Sequence, residues 1–167
     1  MTLAVTPLSN VIGAEITGVQ LSRPLDRQTI AEIHSAWLEH LVLLFRDQDL
    51  QQEDMVRFTA CFGEPAGRAT PLGEQTPGQK KLHPNIMLIS NIRENGEPIG
   101  ALPDGELMFH HDMIHAAFPN KASLLYAKEI PAHGGNTLFA NSYAAYDSLP
   151  DNLRVPLEGR SAFHHYN

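Results

Sequence analysis

Residues 123–141 read SLLYAKEIPAHGGNTLFAN, and this stretch decides the predicted fold. Two strand-like segments, 123–130 and 136–141, enclose a turn that contains one proline and two adjacent glycines. Further strands are predicted at 86–91 and 160–166. Because strands separated by Gly/Pro turns dominate the middle and end of the sequence, we expect a mainly β fold, a sandwich or barrel, with flanking helices.

The first part of the chain predicts short opening strands within residues 1–24, a first helix and then a strand at 41–45. Asp26 is a plausible N-cap for that helix. Its apolar residues recur at spacings of three and four, which indicates one buried stripe. The stripe comprises Ile30, Ile33, Trp37 and Leu41.

A second helix is expected near residues 51–62, with Gly63 at its C-terminal cap. Residues 65–84 lack periodicity and predict a long loop of the kind that often carries function. A short helix at 142–148, closed by Pro150, follows the strand-like segments. The predicted buried face of the second helix consists of Met55, Phe58 and Phe62.

Composition and charge narrow the class of protein. The 167 residues are 43% hydrophobic and 19% charged, which is an ordinary balance for one globular domain. The net charge of −7 argues against a nucleic-acid or anionic-membrane partner. The single cysteine, Cys61, excludes an internal disulfide framework, and no apolar run approaches the roughly 18 residues of a membrane span. We therefore expect a soluble, cytoplasmic protein with a small-molecule substrate, and the sequence leaves a homo-oligomer open.

The run Phe109–His115, FHHDMIH, concentrates three imidazoles and one carboxylate, the ligand types of borderline divalent metals. In a strand, alternation would place His110 and Asp112 on one face, as two of three ligands of a non-haem Fe(II) site. In a helix, His111 and His115 would lie one turn apart and imitate a zinc-hydrolase signature. A third interpretation is that these histidines are ordinary solvated residues. Spacing alone leaves the three open.

A series of short motifs in order along the whole chain resembles the taurine dioxygenase and 2,4-D dioxygenase (TauD/TfdA) family. Each motif is weak by itself, and the resemblance depends on their order and spacing. They comprise Pro7–Ile16, Leu43–Gln48, Cys61–Glu64, Ile89–Asn91, Phe109–Asp112, Ala127–Pro131, Gly134–Thr137 and Ala144–Pro150.

That resemblance implies a double-stranded β-helix (jelly roll), incomplete in this chain, and an enzyme that uses Fe(II), 2-oxoglutarate and O2. It implies hydroxylation of a small, anionic organic substrate with release of succinate and CO2. His110 and Asp112 match the family's first two iron ligands, and the resemblance therefore implies that they are catalytic residues. Thr137 matches the threonine that binds a carboxylate of 2-oxoglutarate, while His111 is the outward residue between the ligands.

The family's third ligand, a distal histidine, and its 2-oxoglutarate-binding arginine have no clear match. His164 and His165 are candidates for that ligand, but their surroundings match an earlier strand of the family. We therefore interpret residues 1–167 as a single domain, the N-terminal portion of a TauD/TfdA-like domain. A non-catalytic jelly-roll module stays open as an alternative.

Three residues are candidates for substrate contact. Arg68 could bind an anionic substrate, and His83 and His115 could line the pocket. Taurine is disfavoured as the substrate because the histidine that would bind its sulfonate is not evident.

Overall fold

The computed structural model describes residues 2–68, 75–100 and 108–164. Its contacts divide the chain into two compact units. The first comprises Gly18–His34 and Asp47–Met108, and the second comprises Thr2–Thr17, Ser35–Arg46 and Phe109–Asn167. The strands are Ala4–Pro7 (β1), Ala14–Thr17 (β2), Leu43–Leu44 (β3), Arg93–Glu94 (β4) and Glu97–Pro98 (β5). The helices are Arg27–His40 (α1), Gln52–Ala60 (α2), Pro77–Lys80 (α3), Ser142–Asp147 (α4) and Asp151–Arg154 (α5), followed by a 3₁₀-helix, Val155–Leu157.

The second unit contains the sheet formed by β1, β2 and β3. β1 pairs antiparallel with β2, and β2 pairs parallel with β3, so the buried Ala14 lies opposite Leu43. Ala14, Ile16 and Ala36 are the buried apolar residues of this unit among those described. The predicted opening strands are therefore confirmed.

The strand predicted at 41–45 is present only as the two residues of β3. Leu41 has a left-handed φ of 66°. Its amide donates to the carbonyl of Trp37, and the amide of Val42 donates to that of His40. These two amides therefore close the end of α1 instead of joining the sheet ladder. The strand can begin only after them.

Helix α1 begins where the sequence predicts. The carboxylate of Asp26 accepts a hydrogen bond from the amide of Thr29 at 2.8 Å, which is the arrangement of an N-cap. Ile33 is buried in the first unit, whereas Ile30 and Trp37 are half-buried. The predicted stripe is thus correct in phase, but Leu41 lies beyond the helix.

Helix α2 supplies the aromatic part of the first unit's core. Phe58 is buried and meets Phe62 edge to face, with ring centroids 5.2 Å apart. The cap predicted at Gly63 is wrong, because the helix ends at Ala60 and Cys61 is its C-cap in a right-handed conformation. No left-handed residue is therefore needed at Gly63.

Two polar side chains, one before α2 and one within it, hydrogen-bond to the segment that follows β2. Gln48 accepts a hydrogen bond from the amide of Leu21 at 2.9 Å and donates to the carbonyl of Val19 at 3.3 Å. Arg57 donates to the carbonyl of Leu21 at 3.1 Å and pairs with Asp54 at 2.8 Å. These contacts satisfy backbone groups of an irregular segment that has no ladder of its own.

The loop predicted at 65–84 contains a short helix, α3, and its residues 69–74 lie outside the described part of the chain. The hydroxyl of Thr76 caps this helix by accepting from the amide of Gln79 at 3.2 Å. Proline at the first helical position is compatible with that start because its missing N–H has no helical partner to lose. The loop prediction was therefore wrong over Pro77–Lys80.

The strands predicted at 86–91, 123–130, 136–141 and 160–166 are not formed in the described residues, and 165–167 lie outside them. No ladder of backbone hydrogen bonds joins 123–130 or 136–141 to another described strand, although the carbonyl of Asn141 accepts from the amide of Ala145 where α4 begins. A strand without a partner ladder is not stable, which is the physical reason for the difference. A small hairpin, β4–β5, forms instead after 86–91, around the left-handed Asn95-Gly96 turn.

Apolar side chains in residues 108–164 are left without a core. No described residue in this range is buried, and the predicted helix at 142–148, confirmed as α4, lies on the surface too. Among the described helices, none combines the length and apolar character needed to cross a bilayer. The large exposed apolar residues include Phe118, Leu125, Ile130, Leu138, Phe139, Tyr143 and Phe163.

The N-cap of α1 predicts a specific acid sensitivity. The hydrogen bond from the Thr29 amide lowers the pKa of Asp26 below its usual 3.8. The pKa of Asp26 is lower in the folded protein than in the unfolded chain. The charged cap therefore stabilises the fold at pH values above the unfolded-state pKa, and this stabilisation is lost as the pH falls through the folded-state pKa. Asp26→Asn keeps a cap oxygen that does not titrate.

As the pH is lowered from about 6 to about 3, we expect the urea concentration at half-unfolding to decrease more for the wild type than for Asp26→Asn. Asp26→Ala should be the least stable of the three at the higher pH because it has no cap oxygen. Other carboxyl groups titrate equally in all three proteins, so the difference isolates Asp26. Parallel acid curves for the wild type and Asp26→Asn would contradict this assignment.

Candidate functional site

The histidine run lies in a turn of the second unit, in neither a strand nor a helix. Met113 has a left-handed φ of 56°, which is uncommon for a residue with a side chain. The amide of Ile114 donates to the carbonyl of His111 at 3.3 Å, and that of Ala116 to Met113 at 2.9 Å. The strand and helix interpretations of residues 109–115 are therefore both wrong, since the chain reverses direction directly after Asp112.

Before this turn, the two side chains that alternation was expected to place on one face lie close together. Nε2 of His110 lies 3.2 Å from Oδ1 of Asp112, with both side chains roughly half exposed. Two ligand atoms about 2.1 Å from one ion and at a right angle are about 3.0 Å apart. This nitrogen and oxygen thus fit two adjacent positions around one divalent metal, and exposure leaves room for further ligands.

A third side chain, that of Ser123, contacts the carboxylate. Its hydroxyl donates to Oδ2 of Asp112 at 2.5 Å, so the two oxygens of Asp112 face different partners. The sequence did not single out Ser123. Eleven residues separate it from Asp112, and within a predicted strand a serine carries no signal that it will meet a carboxylate.

The neighbouring residues of the run face solvent. His111 is exposed, and its Nδ1 lies 3.1 Å from the main-chain oxygen of Asp112. His115 and Phe109 are exposed as well. Because residues 112–115 form a turn, His111 and His115 do not share a helical face, and the zinc-hydrolase alternative loses the geometry it requires.

Thr137 follows the predicted tight turn. Gly134 and Gly135 both adopt left-handed φ, of 76° and 66°, so the prediction of a turn that requires glycine is confirmed. A Cβ at Gly135 would lie 3.1 Å from Cγ of Pro131, which adds a steric reason for glycine there. Thr137 is exposed, and no hydrogen bond among the described residues joins it to His110 or Asp112.

A third metal ligand is not assembled in the described residues. They contain no group of three or more His, Cys, Asp or Glu side chains that could hold an ion. His164 is exposed and belongs to no such group, whereas His165 lies outside the described part of the chain. The His164 alternative is therefore not supported by the geometry.

Two candidates for substrate contact have structural partners within the first unit. Both terminal nitrogens of Arg68 donate to backbone carbonyls, those of Gln79 and Leu82 near the end of α3. Nδ1 of His83 accepts from the amide of Asn85 at 3.3 Å, and its own amide donates to Gln52 at 2.6 Å. Arg68 is half-buried, and both residues make hydrogen bonds with described residues of the first unit.

Known proteins are similar to this chain in sequence. Pentalenolactone F synthase of Streptomyces avermitilis is 37% identical over 93% of this chain and 50% of its own length. An (S)-phenoxypropionate/alpha-ketoglutarate dioxygenase of Delftia acidovorans is 31% identical over 98% of this chain and 54% of its own length. The chain spans about half the length of the curated relatives it matches.

The backbone also resembles a solved structure. A Burkholderia xenovorans protein, assigned as an alpha-ketoglutarate-dependent taurine dioxygenase, superposes with a TM-score of 0.74 at 36% identity, covering 95% of this chain and 52% of that one. The sequence profile described as the taurine catabolism dioxygenase TauD, TfdA family matches residues 4–167. Together with the His110–Asp112 pair at its turn, this match shows that the chain belongs to the TauD/TfdA family of dioxygenases.

Proposed function

We propose that this chain is part of an Fe(II)- and 2-oxoglutarate-dependent dioxygenase that hydroxylates a small organic substrate and releases succinate and CO2. The observation that carries the proposal is the 3.2 Å approach of His110 Nε2 to Asp112 Oδ1, in a chain of this family. One imidazole and one carboxylate in adjacent positions match two of the three ligands of a non-haem Fe(II) oxygenase site.

The proposed roles follow from the chemistry of each side chain. His110 and Asp112 bind the metal, and iron, when bound, supplies the O2 chemistry that no side chain can perform. The neutral imidazole of His110 donates an electron pair through Nε2, while Asp112 adds one negative charge that favours a divalent cation. Thr137 binds a carboxylate oxygen of 2-oxoglutarate through its hydroxyl, in line with its position after the Gly134-Gly135 turn.

We propose an anionic substrate other than taurine. The support for an anionic substrate is that the Delftia relative is named for phenoxypropionate, which is a carboxylate. Arg68 is not the proposed contact, because both of its terminal nitrogens already donate to backbone carbonyls. A cytoplasmic location stays a prediction from the sequence, which leaves a homo-oligomer open.

We further propose that residues 1–167 are the N-terminal portion of a longer jelly-roll domain. Two observations support this: the chain matches about half the length of its relatives, and residues 108–164 expose many large apolar side chains. Apolar segments with strand-like sequences have no partner strand among the described residues. In a complete jelly roll, such segments would pair with further strands.

Hydrogen exchange can test that domain assignment. In this chain, backbone amides of 123–130 and 136–141 should exchange far faster than those of α1, because no ladder protects them. In a chain that continues with the rest of the family's domain, the same amides should become protected. Equal exchange in the two chains would contradict the assignment, and α1 serves as the internal reference in both.

The dioxygenase proposal predicts a visible charge-transfer band. Anaerobic addition of Fe(II) and then 2-oxoglutarate to the full-length protein should produce a metal-to-ligand absorption that depends on both additions. His110→Ala and Asp112→Ala should each abolish it, because each removes a metal ligand. His111→Ala, which changes the exposed neighbour, is the matched control and should leave the band intact. Absence of the band in the wild-type protein would favour a non-catalytic module.

Thr137 can be tested separately from the metal. A hydrogen bond to a charged group contributes about 1.5–3 kcal/mol, so Thr137→Ala should raise the 2-oxoglutarate Kd roughly ten- to a hundredfold. Thr137→Ser keeps the hydroxyl and should retain most of the affinity. Fe(II) affinity measured without 2-oxoglutarate should be unchanged in both variants. An unchanged 2-oxoglutarate Kd in Thr137→Ala would show that this hydroxyl does not contact the co-substrate.

A further inference from the structure

We propose that Ser123 is a positioning residue that holds the carboxylate of Asp112 so that only Oδ1 is presented to the metal. This inference rests on the proposed function of His110 and Asp112 as metal ligands. It adds a residue whose hydroxyl acts through Asp112 and does not itself contact the ion.

The contacts of Asp112 divide its two oxygens. Oδ1 lies 3.2 Å from Nε2 of His110, whereas Oδ2 accepts the hydroxyl of Ser123 at 2.5 Å. A hydrogen bond to an ionised carboxylate is among the stronger kinds, so it can set the rotation of the side chain. Asp112 is about half exposed, so close packing does not fix its carboxylate.

The restraint matters because a carboxylate can bind a metal through one oxygen or through two. A facial triad uses one oxygen and keeps positions open for the co-substrate and O2. If Oδ2 were free, it could rotate into the coordination sphere and occupy one of those positions. The Ser123 hydroxyl competes for Oδ2 and therefore favours binding through one oxygen.

The fold supports this division of roles. Met113, directly after Asp112, turns the main chain with its left-handed φ, but main-chain conformation leaves the carboxylate free to rotate. Ser123 belongs to a separate segment, 11 residues later, so its contact ties the turn to that segment. Partners of metal-bound side chains generally change affinity by about 10- to 100-fold when removed.

A purely structural role for the same hydrogen bond makes a different prediction. It would change the stability of the turn without changing how the carboxylate binds metal. Ser123 is exposed, so Ser123→Ala leaves no buried cavity and should remain folded. Metal affinity and the mode of carboxylate binding therefore separate the two roles.

The experiment uses the full chain with Mn²⁺, a redox-stable probe of an oxygen- and imidazole-rich site. Calorimetric titration of Ser123→Ala should give a Kd about 10- to 100-fold weaker than that of the wild type. Ser123→Thr, which keeps a hydroxyl, should restore most of the affinity. Ser148→Ala, which removes a hydroxyl that donates to the Ala145 carbonyl, is the matched control and should bind as the wild type does.

Infrared difference spectra upon Mn²⁺ binding measure how the carboxylate binds the metal, which a purely structural role of Ser123 would not change. The separation between the two carboxylate stretches should be wide in the wild type, as expected for one bound oxygen, and should narrow in Ser123→Ala. Wild-type affinity and an unchanged spectrum in Ser123→Ala would overturn the inference and leave the proposed function intact. If the wild type and Asp112→Ala bind Mn²⁺ equally, both the inference and the proposed function fail.

Discussion

A β-strand persists only where a neighbouring strand takes up its backbone hydrogen bonds, and this constraint governs which parts of the chain are regular. β2 has partners on both sides, an antiparallel one in β1 and a parallel one in β3, and its inward residues Ala14 and Ile16 are buried. Residues 123–130 have the sequence of a strand but no such partner among the described residues. They form no regular strand, and Leu124, Leu125 and Ile130 stay exposed.

The same constraint explains why the candidate site is built on a turn. His110 and Asp112 lie within hydrogen-bonding distance of each other although they belong to no paired strand, and the left-handed Met113 turns the chain directly after them. Both side chains are half exposed, which suits the proposed metal site. This exposure also leaves the carboxylate free to rotate unless another group, here Ser123, binds its second oxygen.

Helices were predicted more accurately than strands because their hydrogen bonds are local. α1 begins at the expected cap, Asp26, and α4 at Asn141, whose side chain accepts from the amides of Tyr143 and Ala144. The end of α2 was missed because a right-handed Cys61 closes it without a glycine. Asn141 also donates to the carbonyl of Val11, 130 residues earlier, a contact that no local pattern indicates.

From residue patterns alone we predict the family resemblance, the two early helices, the opening strands and the candidates His110, Asp112 and Thr137. These depend on local hydrogen bonds, on apolar periodicity and on the order of short motifs. Three features emerge only in the folded chain: the turn at the histidine run, the hydrogen bonds of Arg68 to backbone carbonyls and the hydrogen bond of Ser123 to Asp112. The hydrogen bonds join residues that are distant in sequence, and the turn depends on one backbone torsion. Residue type and spacing in the sequence therefore do not predict these features.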